Sequence, residues 1–238
     1  MRKIIDLSPN YSKKRRIKNK ILFVIIHYTG MQSEIESLKR LKNSKSKVSS
    51  HYLINRKGDV IQLVEDKKIA WHAGKSRWKK YKNLNDISIG IELVNKGHEF
   101  GYEKFSSLQV KSLIKLCNNL KKKYGIKNEN FLGHSDIAPL RKKDPGEYFP
   151  WKKLSTYKIG SWYNIIKGKG FNSILDKIDR NLFFQNIRKV GYRYFKLDKK
   201  SNTDKLVIKA FQMKYLPKNV TGKLDKKTLK ISYFLANR

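Results

Sequence analysis

The sequence predicts an α/β domain, a mixed central β-sheet flanked by helices, followed by a small all-α segment of three helices. Three features point to this architecture. The runs ILFVII (21–26) and ISIGIELV (87–94) have the length and β-branched content of strands buried on both faces. HYLINRKGDVIQLV (51–64) reads as a hairpin, with apolar residues on either side of a turn at Arg56 to Asp59 and Gly58 supplying a positive φ. SSLQVKSLIKLCNNLKKKYG (106–125) is the clearest amphipathic helix of the chain. Strands and helices interleaved in this way bury their apolar faces only by layering.

Taken in order, residues 1–19 read as a basic, irregular lead-in to a first strand at 21–28. SEIESLKRLKN (33–43) places Ile35, Leu38 and Leu41 at i, i+3 and i+6 behind Ser33, a short capped helix. NSKSKVSS is polar and loop-like, and the hairpin follows, with 87–94 as its expected neighbour in the sheet. Between them, 65–86 reads as a long loop carrying Trp71, His72 and Trp78. A loop of this length in a compact domain is usually functional, so it is expected to form a wall of a cleft. In the long helix, Leu108, Val110, Leu113, Ile114, Leu116, Cys117 and Leu120 form the apolar face, with Ser106 or Ser107 as cap and Gly125 beyond the end. NENFLGH returns the chain as a short strand ending at His134.

The expected division is a domain at 1–160, a basic Gly-containing linker at 161–173, and a helical domain at 174–238. The last contains helices near 174–189, 203–215 and 225–236, with Leu206, Ile208, Ala210, Phe211 and Tyr215 on the buried side of the middle one.

The chain has 238 residues, with 55 Lys and Arg against 19 acidic residues, a formal charge of +36. So positive a surface favours polyanions such as nucleic acid, anionic lipid or bacterial wall polymers, and charge alone does not choose among them. With Cys117 as its one cysteine the chain forms no intramolecular disulfide, and the residue reads as a small core side chain rather than a nucleophile. The run at 21–26 is too short to span a bilayer, so no transmembrane segment is expected, and no cleavable signal is visible ahead of it.

The chemistry concentrates in GHSDIAPLRKKDPG (133–146). His134 and Asp144 share one segment that Pro139 and Pro145-Gly146 keep from forming a regular helix, so a constrained loop presents them. His27 stands at the end of the buried run 21–26. Alone, a strand-end histidine is more often structural, and an aspartate before Pro-Gly is usually a turn former. Together, two histidines and a carboxylate form a three-ligand set that leaves zinc an open position, as in catalytic sites. Glu92 is an acid inside an apolar strand; burying it is costly unless it faces a polar cleft, a metal or a salt-bridge partner. The residues themselves thus point to metal-assisted hydrolysis of an amide or similar acyl group.

In series, IIHYTG (25–30), SSHYLI (49–54), AWHAGKS (70–76), SIGIELVN (88–95) and GHSDIAPLRKKDPG resemble the amidase-2 family of N-acetylmuramoyl-L-alanine amidases, in its AmpD/AmiD group, over roughly 20–152. The resemblance implies one Zn²⁺ held by His27, His134 and Asp144, Glu92 as general base, and Lys142 facing the oxyanion, with Lys143 as its natural control. It implies substrate contacts by Trp71, His72 and Asn95, and leaves His51 as a residue supporting the sheet or the site. His98 matches no motif. IRKVGY, VIKAFQMKYLP and VTGKLDKKTL resemble the three-helix peptidoglycan-binding domain attached to wall hydrolases. The implied activity is hydrolysis of the bond between N-acetylmuramic acid and L-alanine in peptidoglycan or muropeptides, with an anionic wall polymer as partner and no specific nucleic acid. The substrate and the helical domain favour the cell envelope, whereas the lack of a visible signal favours the cytoplasm. The competing reading is a non-catalytic wall-binding or nucleic-acid-binding protein. RWKKYK (77–82) interleaves aromatics and lysines that could stack on bases, but no nucleic-acid fold signature accompanies it.

Overall fold

The computed structural model of the chain describes residues 2–14, 16, 20–163 and 177–238. Most of the expected linker (164–173) and the expected helix start at 174–176 lie outside the described residues.

As the sequence predicts, a mixed sheet forms the centre. Its six strands are Lys3–Ile5 (β1), Phe23–Tyr28 (β3), Tyr52–Ile54 (β4), Val60–Gln62 (β5), Ser88–Leu93 (β9) and Phe131–Gly133 (β10), in the order β1-β5-β4-β9-β3-β10. The β4–β5 pair is the expected antiparallel hairpin, and Gly58 in its turn has φ +83°. The pairs β4–β9, β9–β3, β3–β10 and β1–β5 are parallel. The basic lead-in is more regular than its sequence suggests: β1 joins the sheet edge and Tyr11–Ser12 (β2) pairs with Ile69–Ala70 (β6). Strands of two or three residues are too short to show an alternating pattern.

Alternation across the strands divides the molecule. Val24, Ile26, Ile89, Ile91, Tyr52 and Ile54 face the helix Ser107–Tyr124 (α3) through Val110, Leu113, Cys117 and Leu120. Ser106 caps α3 in a capping box with Gln109, and Gly125 closes it in the left-handed region. Leu108 does not join that face and is 53% exposed. Nine residues separate it from Cys117, about 900° of helix rotation, which puts the two on opposite sides. Ile35 of Glu34–Lys42 (α1), capped by Ser33, is likewise 65% exposed while Leu41 is buried, because steps of three residues drift off one face.

On the other face, Phe23, Ile25 and Leu132 share one core with the C-terminal helices Arg180–Val190 (α6), Asp204–Tyr215 (α7) and Lys226–Ala236 (α8), through Phe183, Phe184, Phe211, Tyr215 and Leu229. α6 starts at 180, where the Asp179 side chain caps it. Leu206, expected inside, is 40% exposed. The segment 65–86 is not a structureless loop: besides β6 it contains the hairpin Arg77–Trp78 (β7) and Tyr81–Lys82 (β8). Trp78 does not line the cleft that opens beside His27 and His134. It is buried edge-on against Tyr192, 4.9 Å between ring centroids. Among the described residues no helix is long and apolar enough to cross a membrane.

Candidate metal centre

The registry of β3 with β9 sets His27 beside Glu92, so both side chains leave the sheet on one face, at the C-terminal ends of parallel strands. β10, on the other side of β3, ends at Gly133 and delivers His134 to the same place. His134 opens a single helical turn, His134–Ile137 (α4), which stops ahead of Pro139 because the residue before a proline avoids helical ψ. The chain then loops back, and Ser135 N–H donates to the Asp144 carbonyl (2.8 Å), closing the segment so that Asp144 meets both histidines.

The structure brings His27, His134 and Asp144 together. His27 Nδ1, His134 Nδ1 and Asp144 Oδ2 form a triangle with edges of 3.0, 2.9 and 3.0 Å, and all three residues are buried. The surrounding hydrogen bonds fix where the ring protons lie. Ser88 Oγ donates to the Leu84 carbonyl at 2.6 Å, so toward His72 Nε2, 3.2 Å away, it accepts. Burial, then the neighbouring histidines, hold the His72 pKa well below its usual value. Neutral His72 therefore has its proton on Nε2 and accepts on Nδ1, 3.1 Å from His27 Nε2. His27 is also neutral, burial and the nearby His134 lowering its pKa to about 4, and with its proton on Nε2 it aims the Nδ1 lone pair into the triangle. His134 Nε2 lies 3.1 Å from the Ala73 carbonyl and 3.3 Å from Arg141 Nη2, whose protons go to the Ala73 and Lys75 carbonyls; donation from Nε2 to Ala73 leaves the Nδ1 lone pair facing the same point.

With both ring protons on Nε2, two lone pairs and a carboxylate oxygen converge on one point, an arrangement that suits a cation. Tetrahedral zinc with bonds of about 2.0 Å separates its ligands by about 3.3 Å, close to the observed edges. The residues present fit a metal ion.

A cleft of about 550 Å³ opens onto the triangle and is lined by Glu92, Trp71, Lys142, Arg141 and His98, among others. Glu92 Oε2 is buried without a hydrogen-bond partner. Burial, then the Asp144 charge, push its carboxyl up to about 8, against the opposing pull of Lys142. Lys142 is half-buried and Lys143 exposed, although both border the cleft. Arg141 Nη2 donates to the Ala73 carbonyl, the acceptor that orients His134.

Two residues for which the resemblance implies substrate contact also make contacts within the protein. His72 is buried against Gly90, where any Cβ would run into its ring, and it holds the His27 tautomer. Asn95 does not line the cleft; its amide donates to the Glu103 carbonyl and accepts from Gly97 N–H, fixing the turn after β9. His51 lies inside the sheet region, accepting from Gly90 N–H at 2.9 Å, its pKa lowered to about 3 by burial and by Arg16.

Sequence reasoning missed a group at the cleft rim. His98 Nδ1 bonds Tyr28 Oη (2.8 Å), its Nε2 meets Glu147 (3.1 Å), and its ring stacks on Tyr102, which in turn stacks on Tyr148. These residues come from three separate segments, so no local pattern links them.

Comparison with known proteins identifies the family. The model of the family Amidase_2, N-acetylmuramoyl-L-alanine amidase, matches residues 17–147. The chain is 35% identical over 237 residues to the N-acetylmuramoyl-L-alanine amidase AmiD of Escherichia coli (strain K12), covering 92% of this chain and 83% of that protein. The structure of E. coli AmiD in complex with the substrate anhydro-N-acetylmuramic acid-L-Ala-D-gamma-Glu-L-Lys superposes with a TM-score of 0.80 over 90% of this chain and 88% of that one, at 35% identity. AmpDh3 of Pseudomonas aeruginosa superposes with a TM-score of 0.82 over 97% and 98%, at 31% identity. With the match spanning sequence, fold and the cleft-bearing segments alike, the chain belongs to the Amidase_2 family of N-acetylmuramoyl-L-alanine amidases.

Proposed function

We propose that the chain is a zinc hydrolase cleaving the amide between the lactyl group of N-acetylmuramic acid and the first L-alanine of the stem peptide, in peptidoglycan or in muropeptides. The observation that carries this reading is the triangle of His27 Nδ1, His134 Nδ1 and Asp144 Oδ2, which shares one cleft with the unpartnered Glu92 carboxyl. When bound, a zinc ion supplies a Lewis acid and lowers the pKa of a water towards about 7.

The chain's own groups account for the rest. Glu92 removes a proton from the attacking water and returns it to the leaving amine; burial raises its carboxyl above the usual carboxylate range, which suits a group that both takes and gives a proton. Lys142 sets a fixed positive charge beside the oxygen that becomes negative, where a preformed charge needs no reorganisation. Trp71, half-buried on the cleft wall, offers an aromatic face to substrate. The complexes of AmiD with an anhydromuropeptide and of AmpDh3 with an anhydromuramic pentapeptide support a muropeptide as the ligand of this cleft.

The division into a catalytic domain at 1–160, a linker at 161–173 and a peptidoglycan-binding-like domain at 174–238 belongs to the same proposal. So does an anionic wall polymer as the partner of the +36 chain. Such binding weakens with salt as the Debye length falls below about 8 Å.

Mass spectrometry of products from purified sacculi and from soluble muropeptides tests bond and substrate together. The expected products are the intact stem peptide with a free L-alanine amine and the peptide-free muramic acid, in an activity abolished by a chelator and restored by zinc. Cleavage at another bond, or activity indifferent to chelation, overturns the proposal.

A further inference from the structure

The turn that carries His134 is held from outside the sheet domain. Asp136, two residues beyond His134 in α4, is 1% exposed, and its carboxylate serves three donors. Oδ2 accepts from Gly133 N–H (2.8 Å) and from Lys214 Nζ of α7 (2.6 Å), while Oδ1 accepts from Tyr192 Oη just after α6 (2.5 Å). Lys214 and Tyr192 are themselves 3% and 0% exposed. Lys214 Nζ also lies 4.1 Å from the centre of the Trp151 ring, and that ring packs beside Gly133. The α4 turn is therefore pinned on both sides of His134: at Gly133 through Asp136, and at Ser135 through the Asp144 carbonyl.

We propose that Lys214 and Tyr192 are positioning residues of the metal site, and that the C-terminal helices hold His134 in place by clamping Asp136. The physical basis is the cost of an uncompensated buried charge. With Lys214 present, the Asp136 carboxylate is neutralised and its geometry fixed by three hydrogen bonds. Without it, the carboxylate is left as an uncompensated buried charge and turns toward water, which releases Gly133 N–H and the first turn of α4. Gly133 has little room to absorb such a shift, because Pro145, next to the ligand Asp144, fills the space that a Cβ on Gly133 would take. Displacement is thus passed to two corners of the triangle. The helical segment is then a structural part of the centre, whatever it binds elsewhere.

The metal side of this inference rests on the zinc reading above, so the test carries one readout that does not. In the full chain, Lys214→Met keeps the length and packing of the stem while removing the charge. Tyr192→Phe removes only the hydroxyl and keeps the ring against Trp78. Hydrogen exchange followed by mass spectrometry reads the amides of 131–138, with those of β9 as internal reference. Chelator competition reads zinc affinity, and the visible spectrum of the cobalt-substituted chain reads ligand geometry. Both variants are expected to lose protection over 131–138 but not over β9, and Lys214→Met to bind zinc about 10-fold more weakly with an altered cobalt spectrum. The double variant Asp136→Asn with Lys214→Met should recover most of the affinity, since a neutral amide still accepts from Gly133 without a buried charge. A merely structural role lowers thermal stability and leaves affinity and spectrum unchanged; that result overturns the inference. Should Lys214→Met not fold, Tyr192→Phe decides, unchanged exchange over 131–138 counting against the clamp. A wild-type chain that takes up no zinc refutes the metal reading instead, and the exchange comparison then decides the clamp alone.

Discussion

Replacing Glu92 by Gln separates the cost of its environment from its use. In the metal-free chain the folded state keeps the Glu92 proton up to about pH 8, whereas the unfolded chain releases it near the ordinary carboxylate pKa of about 4.3. Between those values the unfolded state binds fewer protons than the folded one, so this group makes stability fall as pH rises, by at most about 1.4 kcal/mol per pH unit. Integrated to pH 8 the ceiling is about 4 kcal/mol, and because Glu92 is partly exposed, about 2 kcal/mol is the expected loss. Glutamine has nearly the same shape and no titration. Urea denaturation in a chelating buffer should therefore give similar stabilities for wild type and Glu92→Gln at pH 5 and a more stable variant at pH 8. Contributions from His27, His51 and His72 are common to both proteins and largely cancel in the difference. With zinc restored, the same variant should retain the metal and lose about 10²–10⁴ of kcat. Stability curves that stay parallel from pH 5 to 8 would refute the assignment of Glu92 as a carboxyl destabilised by its site, and an undiminished kcat would end its role as base.

His72→Ala removes the acceptor that fixes the His27 tautomer, so zinc affinity measured by chelator competition should fall about 10- to 100-fold without loss of the fold. Lys142→Met should lower kcat about 10²- to 10³-fold with little change in KM, whereas Lys143→Met should stay near wild type in the same steady-state assay. A chain ending near residue 160 uncovers Phe23, Ile25 and Leu132, which the C-terminal helices bury; it should self-associate in size-exclusion chromatography and melt well below the full chain.

Much of this protein is determined by the sequence alone. The mixed sheet, the hairpin with Gly58 at its turn and the long helix with Ser106 and Gly125 at its ends are encoded by local patterns. Backbone geometry and side-chain periodicity act over a few residues and leave their mark on consecutive positions. The chemical types of the ligand set were legible for the same reason, as a histidine ending a strand and a histidine and an aspartate in one proline-bounded segment. What only the tertiary structure decided are relations between segments distant along the chain. Trp78 turns from the cleft to Tyr192, 114 positions away, because the helical segment offers it a fuller apolar contact than solvent does. His72, on the cleft wall, also orients His27, because Gly90 lets its ring lie on the strand and Ser88 supplies the far end of the hydrogen-bond chain. Asp136 and Lys214, 78 positions apart, meet inside the protein. Tautomers, charge compensation and the choice between a cleft face and a core face depend on which groups the fold brings within about 3 Å, and no spacing along one segment carries that information.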